Sequence, residues 1–447
     1  FLDAQDKSQR ENILATANVE LTPVKGLMIK GTVGTDIRIN ERKSYLPSTI
    51  SIGNQEWKAV RDTANTIRFE LEDVPSGYAL LRFGRTGKMI FVERGQDLTV
   101  RFTRHVQPGV SRYSFEGGCA RENQYMEEQT RPNMRVMNDL SEDDEVIRLL
   151  DDTVRQRVEA LRALALSPDF TRLESERQRY NVLRSFSVYK KWGNALYPYL
   201  KEQLKENPDL LVTEDYQAFL LDGLYAIGGE GQTTPYGYAK GQLEYIVQNI
   251  QDTAVADFAL NSVLSRYMER RGVESIDGLM DMFRQKVHSP RVRQAVEELY
   301  VKWNRVAKGQ SIPEFTFLDI DDKEVALSEF KGKYVYIDCW ATWCGPCKQQ
   351  LPALKQLEHK YKGKDIVFVS ISSDSDSNKW KNMVKEQKLG GVQLIKTVPT
   401  YSEFSDLFMI NAIPRFIILD KEGKVFDANV TRPSDPATVE LLDGLLL

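Results

Sequence analysis

The feature that most constrains the fold is a pair of cysteines where a strand gives way to a helix. Cys344 and Cys347 enclose Gly345 and Pro346. The run 334–340, directly before them, is rich in β-branched and aromatic residues, and 348–362 carries leucines and a tyrosine at helical spacing. The two cysteines are therefore expected to open a helix just after a strand.

That position has chemical consequences for both thiols. The free amide groups and the dipole of a helix N-terminus favour the thiolate of Cys344, which is the species that attacks a disulfide. Cys347 lies one turn further into the helix and is expected to be more shielded. It would resolve a mixed disulfide by attacking Cys344. Pro346 fixes φ at a position whose amide would have no partner. Thiol-disulfide exchange is the leading functional hypothesis.

The residues around the pair extend this pattern along the C-terminal third of the chain. The motifs occur in the order 312–315 (IPEF), 327–333 (LSEFKGK), 340–344 (WATWC), Pro352, 367–372 (VFVSIS), 413–414 (IP) and 418–424 (ILDKEGK). This ordered series resembles the TlpA/ResA-like class of thiol-disulfide oxidoreductases. The resemblance implies a C-terminal α/β thioredoxin fold. It also implies that no cofactor is needed beyond the redox-active disulfide Cys344–Cys347.

The resemblance further implies roles for residues near the cysteines. Asp338 falls where thioredoxins keep a buried acid, and burial would raise its pKa so that it can accept a proton from Cys347. A strand-end aspartate that caps backbone amides is the alternative. Pro414 matches the cis-proline of the family, which leaves the Ile413 backbone free to pair with an extended substrate; a trans turn proline is the alternative. The expected substrate-binding residues are Trp343, Gly345, Pro346, Ile413 and Pro414.

Other uses of the cysteines are weighed against this hypothesis. A lone C-x-x-C can be half of a zinc site, but such sites need a second pair of ligands, which the spacing of the remaining Cys and His residues does not offer. No metal site is expected. A permanent structural disulfide between Cys344 and Cys347 would stabilise the fold little, because its loop is so short.

Cys339 should face away from Asp338 on the strand and remain a buried free thiol. Cys119 is expected to be inert, with pairing between chains as the alternative.

The rest of the chain predicts two further domains. Short β-branched runs separated by Gly and Pro indicate an N-terminal antiparallel β-sandwich at 1–118. Apolar stripes at helical spacing indicate a central α-helical region at 119–308, where the run 141–144 (SEDD) suggests the capped start of a helix. The thioredoxin-like domain would occupy 309–447.

The amino-acid composition restricts the kinds of binding partner that are expected for this chain. With 60 Lys and Arg against 64 Asp and Glu, no charge excess points to nucleic acid. No stretch reaches the apolar length that spans a bilayer. The chain begins at Phe1, and 3–9 is polar, like a tether after a removed targeting segment. The resemblance implies the periplasm or cell envelope, with a lipid anchor as one arrangement. The sequence leaves a homodimer open.

Three functions compete at this point. The first is an envelope reductase that takes electrons from a membrane thiol donor and passes them to disulfide-containing proteins. Gly345 and Pro346 form the dipeptide of reducing thioredoxins, whose potentials are low, roughly −270 mV. The second is a disulfide isomerase or oxidase. The third is a non-catalytic envelope binding protein with a thioredoxin-like module.

Overall fold

The protein is described by a computed structural model that covers most of the chain. The described residues are 16–20, 27–33, 49–52, 55–58, 60–61, 67–71, 75–83, 86–96, 98–103, 113–188, 196–397 and 399–446. The expected tether at 3–9 lies outside them. The chain divides into two compact units, Phe1–Ala259 and Leu260–Leu447. The predicted boundaries after residues 118 and 308 stay predictions.

The first unit begins with strands in antiparallel pairs. Their bounds are β1 Thr16–Glu20, β2 Leu27–Val33, β3 Thr49–Ile52, β4 Gln55–Lys58, β5 Val60–Arg61, β6 Ile67–Leu71, β7 Gly77–Phe83, β8 Thr86–Val92, β9 Leu98–Thr103 and β10 Tyr113–Gly117. They form a six-stranded sheet in the order β10-β9-β1-β2-β6-β5 and a four-stranded sheet in the order β4-β3-β7-β8. The predicted antiparallel strands are therefore present, whereas their packing as a sandwich stays a prediction.

Helices follow the strands, as expected for this stretch. Their bounds are α1 Ala120–Glu128, α2 Asp143–Ala163, α3 Pro168–Leu183, α4 Leu196–Gln203, α5 Glu214–Gly228, α6 Pro235–Asn249, α7 Thr253–Arg271, α8 Asp277–Lys286 and α9 Pro290–Asn304. The boundary between the units falls within α7. The helix start predicted at 141–144 is confirmed, since α2 begins at Asp143, but the predicted cap is wrong: the N-cap residue Glu142 makes no side-chain capping hydrogen bond. Among the described residues, no helix is both long and apolar enough to cross a membrane.

A buried charge network joins a strand and two helices of the first unit. Arg177 of α3 donates to Glu174 through Nε at 2.7 Å and Nη2 at 2.6 Å, and to Asp215 of α5 through Nη1 at 2.7 Å. Tyr78 of β7 donates to Glu174 Oε2 at 2.5 Å. All four residues are buried. Each carboxylate thus depends on a neighbour for the hydrogen bonds that it would otherwise make to water.

The second unit contains a seven-stranded mixed sheet. Its strands are β11 Thr316–Leu318, β12 Glu324–Ala326, β13 Tyr334–Trp340, β14 Ile366–Ser372, β15 Val392–Ile395, β16 Arg415–Leu419 and β17 Val425–Asp427, in the order β12-β11-β15-β14-β13-β16-β17. Its later helices are α10 Gly345–Lys360, α11 Ser377–Glu386, α12 Thr400–Leu407 and α13 Pro436–Leu446. Strands β13, β14 and β15 run parallel.

Strand β13 and helix α10 form the centre of this unit. Residues 335–340 are all buried, as expected for a strand covered on both faces. The strand ends at Trp340 and α10 begins at Gly345, so the predicted strand-to-helix junction at the cysteines is confirmed. One apolar cluster joins the sheet to α10 and α13; its buried members are Tyr336, Leu354, Leu357, Tyr361, Ile366, Phe368, Phe416, Ile418, Val430 and Leu442.

The network around Arg177 generates a stability prediction. Replacing Arg177 with Met would leave Glu174 and Asp215 buried without their main cationic partner. Breaking a buried ion pair costs about 3–5 kcal/mol, and we expect the Arg177→Met variant to lose stability of that size. Arg172→Met is the matched control, because the Nη1 of Arg172 lies 3.8 Å from Asp209 in a pair whose side chains are 62% and 60% exposed. Exposed pairs contribute only about 0–1 kcal/mol.

Urea unfolding with hydrogen exchange of peptides from α3 and α5 measures both variants. Equal stability of Arg177→Met and Arg172→Met would contradict the prediction.

Candidate active site

The two cysteines lie at the first turn of α10 and form a disulfide with a Cα–Cα distance of 5.3 Å. Cys344 is the N-cap residue, and its Sγ accepts the backbone N–H of Cys347 at 3.1 Å. The same N–H and the dipole of a four-turn helix would stabilise a thiolate on Cys344 once the disulfide is reduced. The site is therefore built to hold negative charge on the first sulfur.

The residues around Cys344 differ sharply in exposure. Cys344 is 4% and Cys347 2% exposed, whereas Trp343 is 64% exposed. Gly345 and Pro346 are also exposed. These three residues form an apolar rim next to a nearly buried sulfur. An incoming disulfide would meet the rim before it meets Cys344.

A second loop brings backbone groups to the disulfide. The Ile413–Pro414 peptide bond is cis, the isomer that the resemblance implies. The carbonyl oxygen of Ile413 lies 3.7 Å from the Sγ of Cys344. The structure thus brings Ile413 and Pro414 together with the cysteines, and their roles in substrate binding remain predictions.

Asp338 is a buried acid on β13. It lies two residues before Trp340 and so on the same face of the strand, and Trp340 packs in one apolar cluster with Cys344 and Cys347. Burial raises the pKa of Asp338 to about 7; the negative charge of Glu358 adds to this shift, and a hydrogen bond from Ser370 opposes it. The Oγ of Ser370 donates to Asp338 Oδ2 at 3.5 Å. A carboxyl group that titrates near neutral pH can exchange protons with a thiol.

The remaining two cysteines are free and buried, which confirms the prediction for Cys339. Cys339 follows Asp338 on β13 and faces the opposite side of the sheet, where burial raises its pKa well above the usual range. Burial also raises the pKa of Cys119 to about 12, and its Sγ donates to the carbonyl of Phe91 at 3.5 Å. Neither thiol is poised to react.

Sequence reasoning missed a buried carboxylate that anchors the loop before the cysteines. Asp374 accepts the backbone N–H of Thr342 at 2.8 Å, its hydroxyl at 2.7 Å and the hydroxyl of Ser372 at 2.7 Å. Thr342 follows β13, and Asp374 follows β14. Because the two strands are parallel neighbours, their carboxyl ends meet at one edge of the sheet. The sequence feature that could have identified Asp374 is an acidic residue just after the second of these strands.

The C-terminal part of the chain is similar to known proteins. The Redoxin family profile matches residues 307–446. Thiol-disulfide oxidoreductase ResA of one Bacillus cereus strain is 31% identical over 142 residues, which cover 31% of this chain and 76% of that protein. ResA of Bacillus thuringiensis subsp. konkukian is 29% identical, covering 28% of this chain and 71% of that protein.

A solved structure also matches this part of the chain. A candidate thiol-disulfide oxidoreductase of Bacteroides vulgatus, determined in solution, is 52% identical with a TM-score of 0.29, covering 31% of this chain and 90% of that one.

The raised pKa of Asp338 predicts how stability varies with pH. Between the ordinary value of 3.8 and about 7, the folded protein holds a proton that the unfolded chain has lost. The free energy of unfolding therefore falls as pH rises through this window, and the full cost is present above pH 7. Asparagine has no charge to bury. We expect Asp338→Asn to be more stable than the parent above pH 7 by up to about 4 kcal/mol, and similar to it near pH 4.

Urea unfolding with hydrogen exchange of β13 and β14 peptides at several pH values measures this difference. Asp365→Asn is the control, since Asp365 is exposed and Lys421 holds its pKa below the usual value. A stability difference between Asp338→Asn and the parent that does not change with pH would contradict the assignment.

The different environments of the cysteine thiols predict the order in which they are alkylated. In the reduced protein at neutral pH, iodoacetamide should modify Cys344 first, because the helix N-terminus favours its thiolate. Cys119 and Cys339 should stay unmodified until the protein unfolds. Mass spectrometry of tryptic peptides over time measures the order. Modification of Cys344 no faster than that of an unstructured peptide thiol would contradict an activated thiolate.

Proposed function

The chain belongs to the TlpA/ResA-like thiol-disulfide oxidoreductases, and we propose that it works as a reductase of protein disulfides in the cell envelope. Its electrons come from a membrane thiol donor, and its substrates are proteins that carry disulfides. The observation that carries the proposal is the position of Cys344: N-cap of α10, rimmed by Trp343, and 3.7 Å from the Ile413 carbonyl.

The reaction begins with the thiolate of Cys344. It attacks one sulfur of the substrate disulfide, so that a bond from Cys344 to the substrate forms and the substrate S–S bond breaks. The displaced substrate sulfur leaves as a thiolate and takes a proton from water. Pairing of an extended substrate with the Ile413 backbone would align its disulfide with Cys344.

Resolution then requires Cys347 to lose its proton. Asp338, whose pKa is raised to about 7, accepts that proton. The Cys347 thiolate attacks Cys344 Sγ, the enzyme disulfide forms, and the second substrate thiolate leaves. The substrate has gained an electron pair, and the dithiol has become the disulfide of the structure. The membrane donor restores the dithiol.

Capture of the mixed disulfide tests the order of these steps. We expect Cys347→Ser to accumulate adducts joined through Cys344, because no thiol remains to release them. The double variant Cys344→Ser, Cys347→Ser is the matched control and should form none. Non-reducing electrophoresis and mass spectrometry of envelope extracts identify the adducts. If the single variant forms no more adduct than the control, the proposed activity is wrong.

A redox titration of the full chain tests the reductase direction. Equilibration with glutathione or dithiothreitol mixtures gives the potential of the Cys344–Cys347 couple. We expect a value close to that of reducing thioredoxins, roughly −270 mV. A value above about −150 mV, near that of strong oxidants, would assign the protein to disulfide formation instead.

A further inference from the structure

A row of polar side chains crosses the sheet beneath the cysteines. Asp338 of β13 pairs with Ser370 of β14, and Ser370 pairs with Gln393 of β15. Paired residues of parallel strands point to the same face, so the three side chains are neighbours. They are only 4%, 4% and 9% exposed, on a face that also carries the buried side chains of Tyr336, Trp340 and Phe368. Burying polar groups in such a place costs free energy.

The far end of this row has unused hydrogen-bonding capacity. Gln393 Nε2 donates to the carbonyl of Gly390 at 2.7 Å. Its Oε1 is buried and has no hydrogen-bond partner among the described residues. A buried acceptor without a hydrogen-bond partner destabilises the folded state. A buried polar atom without a partner is uncommon in a folded protein and is compatible with a functional use of the amide.

Glu358 of α10 is the residue that we place at the outer end of this row. It lies eleven residues after Cys347 on α10, which is close to three full turns, so both side chains are on one face of the helix. Its carboxylate lies over Gly390 so closely that a Cβ there would collide with it. The side chain is half-buried. Glu358 thus lies between the interior row and the solvent around the loop at 390–391.

An electrostatic interaction links Asp338, at one end of the row, to Glu358, at the other end. Burial raises the pKa of Glu358, and Lys355 opposes this shift. The charge of Glu358 in turn helps to raise the pKa of Asp338. Tyr336 and Cys339 on the same strand also interact with Asp338, and both keep their protons at neutral pH because burial raises their pKa values. Among the described carboxylates, Glu358 is the one whose charge acts on the pKa of Asp338, and it is the acceptor that we consider for a proton leaving Asp338.

We propose that Asp338, Ser370, Gln393 and Glu358 form a proton path that connects Cys347 to solvent at the loop 390–391. The inference rests on the proposed function, in which Asp338 takes the proton of Cys347. Water held by the Ser370 hydroxyl and the Gln393 carbonyl carries the proton along the row, and Glu358 passes it to bulk water. No electrons move: Asp338 gains a proton at one end and Glu358 releases a proton at the other.

A single-turnover experiment separates proton release from disulfide exchange. Reduced full-length protein is mixed with dithiobis-nitrobenzoate, whose coloured thiolate products take up no protons at the working pH. Each turnover then yields the enzyme disulfide, a pair of coloured thiolates and the proton of Cys347. A pH indicator in weakly buffered solution reports that proton. The pH is set above the raised pKa of Asp338, so that Asp338 does not retain it.

The variants Glu358→Gln and Gln393→Leu are expected to form coloured thiolate at the parental rate and to release the proton later, by roughly tenfold in time. Exposed Glu440→Gln and Gln387→Leu are the matched controls and should behave like the parent. In Asp338→Asn we expect the second thiolate and the proton to be slowed together. Hydrogen exchange of β14 and β15 peptides checks that each variant is folded.

The outcomes distinguish the two proposals. If thiolate release is no faster than in Cys344→Ser, the proposed function fails. If exchange is normal and proton release keeps pace with it in Glu358→Gln or in Gln393→Leu, the path is wrong and the reductase proposal stands. A delay in those variants with normal kinetics in Asp338→Asn also overturns the path, because it would not start at Asp338.

Discussion

The parallel pairing of β13 with β14 is the constraint on which the site depends. Its register places Asp338 beside Ser370 and brings the ends of both strands to one edge, where Asp374 holds Thr342 by two hydrogen bonds. The loop that follows Thr342 carries Cys344 to the start of α10. A shift of the register by one residue would turn Asp338 away from the cysteines and detach this loop. The position of the reactive sulfurs is thus set by strand pairing in the interior of the sheet.

The sequence was sufficient for features that depend on local chemistry. Helical spacing after Cys347 and a β-rich run before Cys344 predicted the junction correctly, and strand alternation correctly predicted that Cys339 is a buried free thiol. The cis bond at Pro414 came from resemblance alone, because spacing carries no information on an isomer. The helix start predicted at 141–144 was correct, but its predicted cap was not, because the N-cap position falls on Glu142, whose side chain makes no capping hydrogen bond.

Features that depend on pairing between distant segments could not be predicted from the sequence. Asp374 and Thr342 are separated by 32 residues, as are Asp338 and Ser370. Gln393 joins the row only because β15 is aligned with β14 in one register. In the first unit, Arg177, Glu174 and Asp215 resemble ordinary surface residues of helices, and only the packing of α3 against α5 explains their burial. Composition cannot distinguish such residues from solvated ones.

The opposite orientation of Cys339 has a consequence for how the chain responds to oxidising conditions. A disulfide needs Cβ atoms that approach within about 4.5 Å and point toward each other. Cys339 lies on the far side of β13 from the reactive pair, and Cys119 belongs to the other compact unit. Scrambling between Cys339 and Cys344 would therefore require β13 to leave the sheet. The folded thioredoxin-like domain thereby protects its own reactive pair from mispairing with Cys339.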